Sequence, residues 1–198
     1  MTRVLDLTPA AARMAGLVEA VPEATLGQIT PCEGYTVGAL LDHIAGVALA
    51  FSAAAAKSPL DAAPSADAAA LAPDWRTRIP SDLRTMAGAW RAPDAWQGAT
   101  AAGGVDLPAE LAGAVALDEL VIHAWDLAVA IGAPADIDGA DLEVVHETVQ
   151  HFRQDGIEGI FGPAVPVAPD APLLDRILGL SGRDPAWRAP GPPATVGG

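Results

Sequence analysis

Apolar residues recur at helical spacing along most of this chain. Over Leu7–Ala20, the positions Leu7, Ala11, Met14, Leu17 and Val18 share one face, which predicts a first helix. Thr8-Pro9 reads as its N-cap followed by proline at the first helical position, and Pro22 ends it. Thr30-Pro31-Cys32-Glu33-Gly34-Tyr35 is broken by proline and glycine and reads as a loop. Thr36 then caps a second predicted helix, Val37 to about Lys57. That helix is apolar on nearly all sides, the pattern of a central, buried element. Asp42 and His43 interrupt its apolar run.

Ser58–Pro73, rich in Ala, Pro and Asp, is expected to be a surface connection with a little helix. Trp75, Ile79, Leu83, Met86 and Trp90 mark an amphipathic helix over Asp74–Arg91, with a kink at Pro80 or a start near Ser81. Pro93–Gly104 reads as a loop with short extended pieces at Gly98–Ala102. The next long helix is predicted to run from about Pro108 to Ile131, with Gly132 ending it. Asp138–Gln154 carries Leu142, Val145, Val149 and Phe152 on one helical face. Phe161–Pro172 is extended, Leu173–Leu180 is a short helix, and the chain from Gly182 is rich in Pro and Gly. Four or five long helices with no internal repeat predict an all-α helix bundle.

Composition narrows the function classes. The chain has 198 residues, of which 51% are hydrophobic, enough for one domain with a real core. Its net charge is −14, and Lys57 is the only lysine, so no basic stripe exists for nucleic acid and anionic membranes are disfavoured. Val37–Ala56 is long enough to span a bilayer, but Asp42 and His43 lie within it and basic flanks are lacking, which favours a buried bundle helix. Cys32 is the single cysteine, so no disulfide can form within the chain. Met1-Thr2-Arg3-Val4-Leu5 runs into Asp6 without an apolar signal segment, and the expectation is a cytoplasmic protein.

The chemistry concentrates in Leu117–Ala128. Glu119 and His123 are four residues apart, about one helical turn, and their surroundings are apolar apart from Asp118, Asp126 and the indole N–H of Trp125. A carboxylate there must find a partner or change protonation state. A simple Glu–His hydrogen bond would suffice. A metal ion is the alternative, because His43 in the other strongly apolar helix could supply a third ligand. Zinc fits two imidazoles and a carboxylate; ferrous iron or nickel would fit as well. Asp42 cannot point the same way as its neighbour His43. His146 and His151 sit among Glu, Asp and Gln and read as solvated. Cys32 reads as a small apolar filler before it reads as a nucleophile, and Trp125 as core or pocket lining. His-Glu-x-x-His, Gly-x-Ser-x-Gly, Walker and Gly-x-Gly-x-x-Gly patterns are all absent.

A set of motifs, in order, carries a resemblance. It comprises Thr30-Pro31-Cys32-Glu33-Gly34-Tyr35-Thr36-Val37, Leu40-Leu41-Asp42-His43, and Glu119-Leu120-Val121-Ile122-His123-Ala124-Trp125-Asp126-Leu127-Ala128. Phe161-Gly162-Pro163-Ala164-Val165-Pro166-Val167, Leu174-Asp175-Arg176 and Gly182-Arg183-Asp184-Pro185-Ala186-Trp187 complete it. Together they resemble the metal-binding N-terminal-domain family of mycothiol-dependent maleylpyruvate isomerase, in the DinB-like four-helix-bundle superfamily. The similarity runs from about Leu7 to Trp187, and Tyr35 stands where the family usually has Trp.

The resemblance implies a divalent metal held by His43, Glu119 and His123, and relatives in which a metal-bound low-molecular-weight thiolate attacks an electrophile. The expectation is therefore a metal-dependent transferase or isomerase using mycothiol or another small thiol on a small-molecule electrophile. A metal-activated-water hydrolase or lyase and a non-catalytic metal- or ligand-binding protein are the alternatives. A homodimer is plausible for such bundles. The isomerase carries a further C-terminal domain; this chain is expected to be one domain, residues 1–187, followed by a Pro/Gly-rich tail over 188–198.

Overall fold

Val18, Leu41, Ile44, Leu83, Met86, Leu120 and Val121 are all withdrawn from solvent and belong to one continuous core. They come from four helices of a computed structural model that describes residues 4–58, 60, 63–154 and 161–190. These are α1 (Thr8–Ala20), α2 (Val37–Ala55), α3 (Trp75–Ala89) and α4 (Ala109–Ile131). Around the bundle, α1 packs on α3 and α4, and α2 packs on the same two, so α1 and α2 lie across the core from each other. α5 (Gly139–Gln154) packs on the outside of α4, and α6 (Leu173–Leu180) on α5. The architecture is the all-α bundle with short extra helices that the periodicity predicts. Residues 191–198 of the expected tail lie outside the described residues.

Local signals explain most boundaries. Thr36 caps α2 as expected, its hydroxyl accepting the Ala39 N–H at 3.2 Å. α2 is long and apolar enough to cross a membrane, yet it packs between α3 and α4 with 61% of that span buried in the bundle. Gly132 adopts the left-handed conformation at φ 72° that lets the chain leave α4.

At α1 the expectation needs correcting. Leu7 is the N-cap, Thr8 is already helical, and the Asp6 carboxylate accepts the Thr8 N–H at 3.0 Å in place of a threonine cap. α3 keeps close to the predicted span, running from Trp75 to Ala89 with Pro80 inside it, so of the two alternatives the start near Ser81 does not occur. Trp75, Ile79 and Leu83 are all buried on its inner face, and their packing outweighs the hydrogen bond that the proline cannot make.

The segment read as a loop before α4 contains a short antiparallel hairpin, β1 (Ala99–Ala102) and β2 (Val105–Pro108). Gly103 and Gly104 form its two-residue turn at φ 59° and 80°, values that residues with a Cβ rarely adopt. Thr100 ties the hairpin to the bundle, donating its hydroxyl to the Ala54 carbonyl at 2.8 Å. Only the β1 side carried an extended signal in the sequence, since Val105–Pro108 is too short to show alternation.

Candidate metal and thiol site

α2 and α4 are neighbours in the bundle, and His43 and Glu119 face each other across that seam. Glu119 Oε2 lies 3.3 Å from His43 Nε2 and 3.3 Å from His123 Nε2. The two imidazoles meet nearly edge to face, centroids 5.0 Å apart. One donor atom from each of His43, Glu119 and His123 lies within 4.8 Å of the others, close enough to hold one metal ion. The helical spacing brings Glu119 and His123 together; only the packing of α2 on α4 adds His43.

Beneath this triad is a second layer. His123 Nδ1 donates to Asp126 Oδ2 at 2.9 Å, which directs Nε2 toward Glu119. Asp126 is completely buried and is also held by Arg183, whose Nη2 lies 3.0 Å from Oδ2 and Nε 3.4 Å from Oδ1. The third Arg183 nitrogen, Nη1, donates to the Ser181 carbonyl at 2.9 Å, and Nη2 also reaches Cys32 Sγ at 3.4 Å. Arg183 follows α6, so the C-terminal segment fastens onto the base of the triad. Sequence reasoning assigned Asp126 and Arg183 no role. The available signal was an aspartate three residues after His123, on the same helical face.

Ionisation follows from these contacts. Burial alone would raise the Glu119 carboxyl, but hydrogen bonds from His123 and His43 override it and hold it well below the usual carboxylate range. Burial likewise opposes protonation of His123, yet the hydrogen bonds to Asp126 and Glu119 raise it to about 9. In the metal-free protein His123 is therefore a cation at neutral pH, and a metal would have to displace its Nε2 proton. Burial pushes the Cys32 thiol up to about 11 despite the nearby Arg183 cation. His43 Nδ1 is buried and finds no hydrogen-bond partner among the described residues.

Cys32, His123 and Asp126 form another group whose donors could hold a metal. That set fits worse, because Arg183 occupies Asp126 and the thiol resists ionisation. The remaining candidates lie elsewhere. Asp42 turns away from the triad and accepts from Ser65 Oγ at 2.6 Å and the Asp67 N–H at 3.1 Å. His146 and His151 are on α5 and belong to neither metal-capable group. Trp125 is buried but does not line the cavity.

His43, Glu119 and His123 open into a cavity of about 580 Å³ that is also lined by Cys32, Tyr35 and Arg183. Phe51, Leu107, Val115 and Phe152 form an apolar wall. This is the size range of a small-molecule site. Tyr35, whose sequence neighbours belong to the loop before α2, sets its ring edge to face on His43 at 5.6 Å. The residues present fit a divalent ion: two neutral-capable imidazole nitrogens and one carboxylate converge, one imidazole is already oriented by a carboxylate behind it, and an open side faces a cavity.

The family described as mycothiol maleylpyruvate isomerase N-terminal domain matches residues 7–128, which include His43, Glu119, His123 and Asp126 but not Arg183. A crystal structure of the mycothiol-dependent maleylpyruvate isomerase is similar to this fold with a TM-score of 0.61 and 20% sequence identity, over 78% of this chain and 71% of that one. A crystal structure of a histidine-to-alanine mutant of that isomerase is similar over the same shares, with a TM-score of 0.60 and 22% identity. Those two structures show that the helical-bundle fold is shared. No curated protein sequence matches the chain. With the family pattern covering more than half of its length, the chain belongs to the mycothiol maleylpyruvate isomerase N-terminal-domain family.

Proposed function

We propose that this protein is a divalent-metal enzyme that joins a small thiol, of the mycothiol type, to a small electrophile, as a transferase or an isomerase. The observation that carries this reading is Glu119 Oε2 standing 3.3 Å from each of two imidazole Nε2 atoms at the floor of a cavity. His43, Glu119 and His123 would hold the ion, with zinc favoured and nickel or ferrous iron also compatible with the donor set. Bound there, the ion would lower the pKa of a thiol and so raise its thiolate fraction at neutral pH. Family membership supports the thiol, since the solved relatives are described as mycothiol-dependent.

The chain's own residues account for the rest. Asp126 keeps His123 in the tautomer that presents Nε2, and Arg183 pairs with Asp126 where that side chain is fully buried. The apolar wall excludes water from one side of the cavity and leaves room for the electrophile. Burial pushes the Cys32 thiol up to about 11, which disfavours its thiolate as the nucleophile, so this reading assigns the sulfur to a small-molecule cosubstrate.

Metal content by mass spectrometry tests the site: wild type should carry about one ion per chain and His43→Ala and His123→Ala should lose it. Equal occupancy in all three would overturn it. Turnover of an electrophile panel with and without mycothiol tests the chemistry; thiol-independent turnover would assign the metal to water activation.

A further inference from the structure

Cations are scarce in this cavity, and that scarcity selects the substrate. Resting on the thiol-transfer reading, we infer that the electrophile is an uncharged, largely apolar molecule and not a dicarboxylate such as maleylpyruvate. Of the eleven Lys and Arg residues, only Arg3 lies outside the described residues, and of the others Arg183 alone lines the cavity. Arg183 has no charge to spare. Its guanidinium contacts both oxygens of the buried Asp126 and gives a further hydrogen bond to the Ser181 carbonyl. Arg153, next to the cavity residue Phe152, is turned to the carbonyls of Leu180 and Gly162.

The remaining charges do not favour an anion either. A divalent ion on His43, Glu119 and His123 would bring two positive charges; Glu119 offsets one and a thiolate cosubstrate the other. Glu33 adds a carboxylate at the exposed rim of the cavity. The net charge of −14 repels dianions at longer range. A buried carboxylate without a cationic or hydrogen-bonding partner is strongly disfavoured. By contrast, Val47, Phe51, Leu107, Val115 and Phe152 offer an apolar body a surface to cover.

The chemistry is balanced without a further reactant. A thiol sulfur bonds to one carbon of an activated alkene, the π pair moves to the neighbouring carbon, and that carbon takes up the proton the thiol lost, giving a thioether. If the bond between those carbons rotates and the new S–C bond breaks instead, the thiolate is returned and the alkene leaves as the trans isomer.

Two matched ligand pairs test the inference on the zinc-loaded full chain in the presence of mycothiol. Diethyl maleate and maleate share the cis alkene and differ by two charges; each rate is divided by that of the uncatalysed thiol reaction. Diethyl succinate and succinate lack the alkene, so saturation-transfer NMR reads their binding without chemistry. Diethyl maleate should be accelerated at least about tenfold more than maleate, and diethyl succinate should bind where succinate does not. Acceleration of maleate to the same degree, binding of succinate as tight as its ester, or binding of neither succinate would overturn the inference. If neither alkene turns over yet diethyl succinate alone binds, the thiol-transfer reading fails and the charge preference stands. Leu107→Arg, which sets a cation on the apolar wall, should let succinate bind; a folded variant that gains none would count against the charge argument.

Discussion

The fully buried Asp126 carboxylate accepts a hydrogen bond from His123 Nδ1 at 2.9 Å, and so decides which face of the imidazole reaches the cavity. The same helix, α4, supplies Glu119 on the other side of His123. One helix thus provides a ligand-type carboxylate above the ring and an orienting carboxylate below it.

Replacing Asp126 should separate orientation from ligation. Asp126→Asn keeps the shape but removes the charge that fixes the tautomer, and zinc affinity should fall about 10–100-fold. Asp126→Ala also leaves Arg183 buried without its partner, which should cost about 3–5 kcal/mol of stability. Chelator competition measures the first and urea denaturation the second. Unchanged zinc affinity in Asp126→Asn would show that His123 needs no such support.

The metal-free protein should have a pH optimum for stability set by the triad. His123 is raised from 6.5 to about 9, so its contribution is complete below pH 6.5 and is lost as pH rises through 9. The Glu119 carboxyl is lowered from 4.5, so its contribution is complete above pH 4.5 and is lost only as pH falls through its depressed value. Melting temperature should therefore be highest between those two limits and decline toward pH 9. Because a metal must displace the His123 proton, zinc affinity should rise with pH up to about 9, with proton release seen by calorimetry in two buffers of different ionisation enthalpy. A flat melting profile from pH 6 to 9 would contradict the assignment.

Cys32 distinguishes the two metal-capable groups. If His43, Glu119 and His123 hold the ion, Cys32→Ser should retain full zinc content; if Cys32, His123 and Asp126 do, the variant should lose it. The thiol, pushed up to about 11, should alkylate with iodoacetamide much more slowly at pH 7 than a free cysteine does.

Gly113 tests the packing under the hairpin. A Cβ there would run into the ring of Trp96 and press on Trp90, two buried indoles that stack edge to face at 5.0 Å. Both rings are pinned, Trp90 Nε1 donating to the Phe51 carbonyl at 3.1 Å and Trp96 Nε1 to the Trp90 carbonyl at 2.6 Å. Gly113→Ala should therefore destabilise by about 1–3 kcal/mol in urea denaturation, despite alanine's better helix propensity. A stabilised variant would mean the indoles can move.

Most of the fold is legible along the chain because its signals are local. The periods of Leu7–Val18 and Trp75–Trp90, the Thr36 cap and the Gly132 stop each act within a few residues of themselves. The local signal was weaker where packing decides: Pro80 sits inside α3 because the buried face around it outweighs one missing hydrogen bond, and β2 exists because two left-handed glycines fold it back onto β1.

The site divides in the same way. The sequence by itself determined the Glu119–His123 pair, since helical spacing alone stacks them, and marked His43 as an anomaly in an apolar helix. Tertiary structure alone decided that His43 meets that pair, because the contact depends on α2 packing beside α4. It alone brought Arg183, 57 residues beyond Asp126, to that buried carboxylate. It also decided that Arg183 is spent there and that, among the described residues, no other Lys or Arg lines the cavity, a balance of charge that is set by distances in space and has no period along the chain.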